Sequence, residues 1–371
     1  MTNLMTGNVL GQASREWATR PDDQRFLTMD ELRDSVEQRR LESWTLASGV
    51  KNLRAQAVED RGLVIDAYDP TVGETRSLEP TNFAFGQLAQ YASAPAAYLR
   101  KLPTQLAAIN LQWGIENMPI RDDALVLGQT NGDDRLRAMT STSYGRIWDI
   151  DVVQAVERAI DGGTWTVPAA SYTATNPRRA TTLYASDRDV FLFLVDDQHP
   201  IEVSGETLFR GFMVWNSEVG AATFGIATFL YRFVCDNRMI WGATDVQELR
   251  IRHTGGAPDR FGYEGAQYLE RYANESTDRV VTAIRAAGQY EVDKKPDETY
   301  ESAWDTFLRR NGFTATQSQN AVNAAVAEEG EARSLWDIVN GVTASARSIT
   351  HTNERVDLET KAGRLMERVA S

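Results

Sequence analysis

The sequence predicts an α+β fold: an antiparallel-sheet core with flanking helices and a helical C-terminal region. Three observations lead there. Between residues 119 and 288 short apolar runs of strand character follow one another with few helical stretches between them. Such density favours antiparallel sheet, because a doubly wound parallel sheet needs a crossover helix between successive strands. From Tyr263 onward the apolar spacing turns helical. Finally, 371 residues with 42% hydrophobic content and nine Trp supply enough core to fold without disulfide or metal staples.

Residues 1–25 mix small, polar and charged types without periodicity and read as a flexible lead-in. An N-terminal α/β region follows over 26–118. Thr28-Met-Asp-Glu31 has capping-box spacing for a helix start, with Leu32, Val36 and Leu41 as its buried stripe. Trp44 to Tyr68 is strand-like, with turns at Asp69-Pro70 and Val72-Gly73. A helical region covers 83–115, broken at Pro95 and Pro103 and ending around Leu106, Ile109, Leu111 and Trp113. Its short–break–short layout is that of a helix-turn-helix. However, the second element opens on Ala94-Pro-Ala-Ala97 and carries Arg100-Lys101 only at its end, so core packing explains it better.

The strand-rich core is expected over 119–288. Strands are expected at Leu125–Leu127, Leu136–Met139, Trp165–Val167, Thr181–Ala185, Val190–Val195, Phe209–Asn216, Phe229–Cys235, Met239–Trp241 and Glu248–Arg252. One helix, Asp151–Ile160, stops at Gly162-Gly163, where a left-handed cap carries no steric penalty. Residues 262–287 read as one long helix. Residues 289–300, with Lys294-Lys-Pro-Asp297, read as a charged linker, and 301–371 as short helices that include a capping-box variant at Ser334-Leu-Trp-Asp337.

Several separated blocks share a further pattern. They are Glu79–Gln90 with Ser93–Arg100, Leu136–Trp148, Trp215-Asn-Ser-Glu-Val-Gly220, Cys235-Asp-Asn-Arg238 and Arg250-Ile-Arg-His253. In this combination the chain resembles the phage/plasmid-like protein family, a domain of unknown function found on bacteriophages, plasmids and prophages. The resemblance spans roughly residues 40–290. It implies a mobile-element protein and carries over no catalytic residue.

Composition excludes several classes of chemistry. Cys235 is the single cysteine, which rules out a disulfide framework or a zinc site built on several thiolates and points to a reducing cytoplasm, here that of a bacterial host. No basic segment precedes an apolar core at the N-terminus, and the longest charge-free stretch, Pro80–Leu99, carries too many polar residues for hydrocarbon, so a soluble, non-membrane protein is expected. None of the five lysines follows a glycine in a phosphate loop, and no Gly-x-Gly-x-x-Gly occurs. No cofactor is therefore expected. The three histidines, His199, His253 and His351, are too scattered for a metal site on one helix face, and Cys235 lacks an imidazole partner, so no catalytic residue or metal ligand is assigned.

What remains is arginine beside aromatics on strand-like segments. The candidates for nucleic-acid contact are Arg178 and Arg179, Arg210, Trp215, Tyr231 with Arg232, Arg238, Trp241, Arg250, Arg252 and His253. Guanidinium–phosphate pairing and stacking under bases form the physical basis of single-strand binding, and Arg250 and Arg252, two apart, should share a strand face. The leading expectation is a phage or plasmid DNA-metabolism protein that binds single-stranded DNA, as an ATP-independent annealing protein working as a homo-oligomer. A net charge of −13 opposes diffuse binding to polyphosphate. It supports the alternative of an acidic interaction protein that engages a host protein or defence complex. A third reading is a metal-dependent nuclease using Asp133-Asp134, Asp149/Asp151, Asp187/Asp189 or Asp196-Asp197, although turns collect Asp for their own geometry.

Overall fold

The computed structural model describes residues 21–167, 181–203, 206–231, 233–234, 240–241 and 244–346, with 358, 361 and 365. A short strand β1 (Arg25–Phe26) leads into helix α1 (Met29–Glu42). Thr28 Oγ1 accepts the Glu31 N–H at 3.1 Å, one half of the predicted box, while the Glu31 carboxylate accepts the Leu27 N–H at 2.8 Å, one residue before the N-cap, in place of the Thr28 N–H. Leu32 and Val36 are buried, but Leu41 is 74% exposed. Five residues beyond Val36, Leu41 lies about 140° around the helix from it and leaves the stripe.

The first sheet has six strands: β2 (Ser43–Gly49), β3 (Arg54–Val58), β4 (Gly62–Asp69), β5 (Glu74–Pro80), β6 (Asp123–Asn131) and β7 (Asp133–Thr140). They run in the order β2-β6-β7-β5-β4-β3, antiparallel except where β5 meets β7. Helices α2 (Asn82–Tyr91), α3 (Ala96–Leu99) and α4 (Thr104–Asn117) supply Leu88, Leu99 and Leu111 to a core shared with Leu46, Ile65, Leu78 and Val126 of the sheet. The layout that resembled a helix-turn-helix thus serves this core. Gly114 of α4 sits so close to the Ala92 carbonyl that any Cβ there would collide with it.

The second sheet follows helix α5 (Asp149–Ile160), which ends at Gly162 with φ +68°. Its strands are β8 (Trp165–Thr166), β9 (Leu183–Ala185), β10 (Val190–Val203), β11 (Glu206–Asn216), β12 (Phe224–Tyr231) and, after the small pair β13 (Phe233–Val234) and β14 (Ile240–Trp241), β15 (Thr244–Ile251). The order is β1-β9-β10-β11-β12-β15, with β8 also on β10 and every pairing antiparallel. One face packs Leu192, Leu194, Phe212, Val214 and Ile226 against α5. The other buries Phe191, Phe193, Met213, Trp215 and Phe229. Because both faces are apolar, these strands read as continuous hydrophobic runs with no polar alternation.

The long helix expected over 262–287 is two helical stretches. Helix α6 (Ala257–Arg260), a π-helical turn at Phe261–Gly265 and α7 (Ala266–Asn274) precede a separate α8 (Asp278–Gln289). Ser276 Oγ accepts the Asp278 N–H at 3.1 Å and donates to its carboxylate at 2.7 Å, a local arrangement that competes with continued helix. Arg210 donates to the carbonyls of Tyr272 and Glu275 and satisfies the end of α7.

Helices α9 (Tyr300–Arg310), α10 (Ala315–Glu329) and α11 (Leu335–Ala346) complete the described chain, and the Ser334–Asp337 capping box forms as expected. Trp304, Leu308, Val322 and Trp336 join Ile201, Leu208 and Leu230, so the helical region packs on the ends of β10–β12. The segment expected as a linker takes part: Val292 lies in that core and the Tyr290 carbonyl accepts the Leu335 N–H at 2.9 Å, while 293–297 are exposed. Among the described residues no helix is long and apolar enough to cross a membrane.

Candidate functional site

The two sheets meet at a buried cluster of charges, and three of the sequence blocks converge there. Strand β11 ends at Asn216, whose side-chain amide donates to the Ile147 carbonyl at 2.8 Å and to Asp149 Oδ1 at 2.7 Å. Two residues on, Glu218 Oε1 accepts the Asp149 N–H at the start of α5 at 3.0 Å, where a carboxylate complements the helix dipole. Its Oε2 accepts Arg137 Nη2 of β7 at 2.7 Å, and Arg137 Nη1 donates to Ser43 Oγ at 2.9 Å. Arg39 of α1 reaches in from the other side and donates through Nη2 to Asp149 Oδ2 at 2.7 Å and through Nη1 to the Ser186 carbonyl. Arg146 donates through Nη1 to the Glu218 carbonyl.

Loops close over this cluster. Tyr144 donates its hydroxyl to the Ser217 carbonyl at 2.9 Å, and Ser217 Oγ donates to the Arg188 carbonyl at 2.6 Å. The Gln87 side chain of α2 accepts the Met139 N–H at 2.9 Å and donates to the Val219 carbonyl at 2.8 Å, tying the first sheet to the loop after β11. The Gly145 N–H donates to the His253 carbonyl at 3.2 Å, His253 Nδ1 lies 3.1 Å from the Gly145 carbonyl, and the His253 ring stacks on Tyr144 with centroids 5.0 Å apart.

The electrostatics follow from burial. Desolvation first, and the Glu218 charge second, raise the Asp149 carboxyl to about 8. Burial would raise Glu218 as well, but the guanidiniums of Arg39 and Arg137 outweigh it and hold Glu218 below its ordinary range. The two carboxyls therefore titrate as a pair in which Glu218 is the ionised member. Burial also lowers Arg146, to about 10, and lowers His253, which is neutral at pH 7. Three guanidiniums thus face two carboxyls. Arg146 is 8% exposed, and its Nε and Nη2 have no hydrogen-bond partner among the described residues. Its guanidinium carbon lies 5.2 Å from the Tyr144 ring centre and 5.5 Å from that of Trp148. Thr142, Ser143, Gly220, Arg252 and Thr254 of the neighbouring loops are exposed, and Arg188 is exposed over the Phe83 ring at 5.6 Å.

The model of a domain of unknown function, DUF932, matches residues 138–365, more than half the chain. The chain belongs to the DUF932 family. The DUF932 span begins one residue after Arg137 and takes in Tyr144, Arg146, Asp149, Glu218 and His253; the blocks at 79–100, where the family likeness was also expected, lie outside it. No curated protein and no solved structure matches the chain.

The residues singled out in the sequence are dispersed. Arg210 is buried, its guanidinium committed to the end of α7 and lying 4.5 Å from the Tyr272 ring centre and 5.3 Å from that of Trp165. Trp215 is buried with its ring over Gly225, where any Cβ would overlap it, and the half-buried Arg250 lies 5.4 Å from that ring. Strand β15 ends at Ile251, so Arg252 stands one residue past it, exposed. His253 pins two loops. The backbone of Tyr231 closes β12 opposite Phe209, and that of Trp241 pairs with Phe233. Arg178, Arg179, Arg232, Cys235 and Arg238 lie outside the described residues.

Among the candidate aspartates, Asp189 accepts Ser186 Oγ at 2.6 Å in a turn and Asp196 accepts Thr164 Oγ1 at 2.6 Å. Among the described residues no three His, Cys, Asp or Glu side chains gather as metal ligands. Sequence reasoning missed Arg39, Arg137, Arg146, Asp149 and Glu218 as a unit. The available signal was opposite charges in two blocks, Arg137 and Arg146 in Leu136–Trp148 and Glu218 as the one charge in Trp215–Gly220.

Proposed function

We propose that this DUF932 protein is a non-enzymatic binding protein for single-stranded nucleic acid, whose phosphates lie along the junction of the two sheets against the exposed guanidiniums of Arg188 and Arg252. The observation that carries this reading is the rim of exposed side chains over the buried cluster, Arg188, Arg252, Thr142, Ser143 and Thr254. Two phosphate oxygens fit a guanidinium fork. Exposed Arg252 and the Arg188–Phe83 pair at the rim add a cation and a cation–ring pair suited to an unpaired strand.

The finer form of the proposal is ATP-independent annealing in phage or plasmid recombination, which the motif resemblance supports and for which no nucleotide-hydrolysis motif is needed. With a net charge of −13, contact must be confined to this junction. Fluorescence anisotropy of a labelled oligonucleotide of about 40 nucleotides at about 50 mM salt tests it. Binding of the single strand in preference to the duplex is expected; no binding of either removes the proposal. The alternative, an acidic protein that engages a host protein, draws on a different surface, the flank of α4 along the edge strand β3.

A further inference from the structure

Strand β3 is the outer edge of the first sheet, and α4 runs beside it. Between them lies an open groove of about 440 Å³ lined by Ala55, Ala57, Ile109, Gln112, Trp113 and Glu116. An exposed edge is a template for another strand unless something covers it. Here the cover is partial. Gln112 Oε1 accepts the outward Ala55 N–H at 2.7 Å, so one edge group is capped by a side chain that mimics a neighbouring strand. By ladder parity the N–H and C=O of Ala57, two residues on, point the same way into the groove, and among the described residues nothing takes them.

The helix wall is unusual for a surface. Leu106, Ile109 and Trp113, at positions i, i+3 and i+7, are 48%, 63% and 55% exposed, a contiguous apolar stripe beside an open strand edge. The two ends of the groove differ in charge. At one end Glu116 accepts Gln112 Nε2 at 2.7 Å and is paired with Arg54 at 3.9 Å, while exposed Glu59 and Asp60 make the turn after β3 at the other end acidic.

We propose that this groove takes a short extended segment of a partner protein, an aliphatic residue with a basic one on the side of Glu59 and Asp60. The segment would add to β3 through the backbone of Ala57 and set its aliphatic side chain between Ile109 and Trp113. The open edge calls for extended backbone, the apolar stripe for one buried side chain, and the acidic turn at Glu59 and Asp60 for Lys or Arg at that end.

The test is a selection from a random heptapeptide library on the immobilised full chain, in parallel with Ala57→Pro and Ile109→Glu. Proline is tolerated on a strand edge whose N–H faces outward, and Ile109 is exposed, so neither change should unfold the protein, which a thermal melt checks. Enriched peptides with an aliphatic centre and Lys or Arg toward one end, bound at least about tenfold more weakly by both variants, are the expected result; tenfold corresponds to about 1.4 kcal/mol. The proposal is overturned by enrichment that survives Ala57→Pro, by peptides of polar or acidic character, or by no enrichment at all. It is equally overturned if light scattering shows a dimer that Ile109→Glu dissolves, for then the face belongs to a second copy of this chain.

Discussion

Replacing Arg137 with Met removes one half of a pair in which Arg137 is 1% and Glu218 0% exposed. Glu218 Oε2 would keep only the distant Arg39 Nε, 3.8 Å away, in place of its 2.7 Å bond. Breaking such a pair from one side strands a buried carboxylate and destabilises by about 3–5 kcal/mol. With an unfolding entropy of about 2.1 cal/mol/K per residue, a chain of this length should lose roughly 4–6 °C in Tm. Calorimetry at pH 7 on Arg137→Met, Glu218→Gln and the double variant measures it. Each single change leaves the other partner uncompensated, so the double variant should be more stable than the sum of the singles by about 1–3 kcal/mol. A loss below about 1 °C for Arg137→Met, or strict additivity, would refute the view that this cluster joins the two sheets as a charge-paired unit.

The Asp149 carboxyl is raised to about 8, above its unfolded value, so its contribution to stability is fully present below the unfolded pKa and is lost as pH rises through about 8. Tm should therefore fall between about pH 4 and 8 and level off above, and Asp149→Asn, which mimics the neutral acid, should flatten that fall; an unchanged slope in the variant would speak against the assignment. Gly225→Ala drives a methyl into the buried Trp215 ring and should destabilise by about 1–3 kcal/mol, visible in a urea melt; a neutral result would show that the ring can move aside. Limited proteolysis should cut in the exposed 293–297 stretch, yet the two fragments should co-elute on gel filtration because residues on both sides share one core; separate elution would show that the core does not hold them.

Much of the fold was legible because local chemistry decides it. The Thr28 side-chain cap, the Ser334–Asp337 box, the stop at Gly162 and most strands of the second sheet stand where residue patterns place them. Errors arose where tertiary contacts outweigh local pattern. Leu41 continues an apolar count but lies off the helix's buried face, and the break at 275–277 depends on Arg210, more than 60 residues earlier, holding the end of α7. The site was legible only as blocks. Nothing local in Leu136–Trp148 or Trp215–Gly220 says that Arg137 and Glu218 face each other across two sheets, because that pairing is fixed by how the sheets dock. The arginines chosen for lying beside aromatics included Arg210, which caps a helix and packs between rings, since a cation beside an aromatic has the same sequence signature inside the fold as outside it.

The most direct measurement is the salt dependence of single-strand binding for the unaltered chain and for Arg188→Ala/Arg252→Ala, two exposed rim residues outside the buried cluster. Because each phosphate contact contributes about 0.7 to the slope of log K against log salt for a single strand, the double variant should bind more weakly and with a slope reduced by roughly 1.4, at unchanged Tm. The same affinity and slope in both proteins would contradict a nucleic-acid path across this junction.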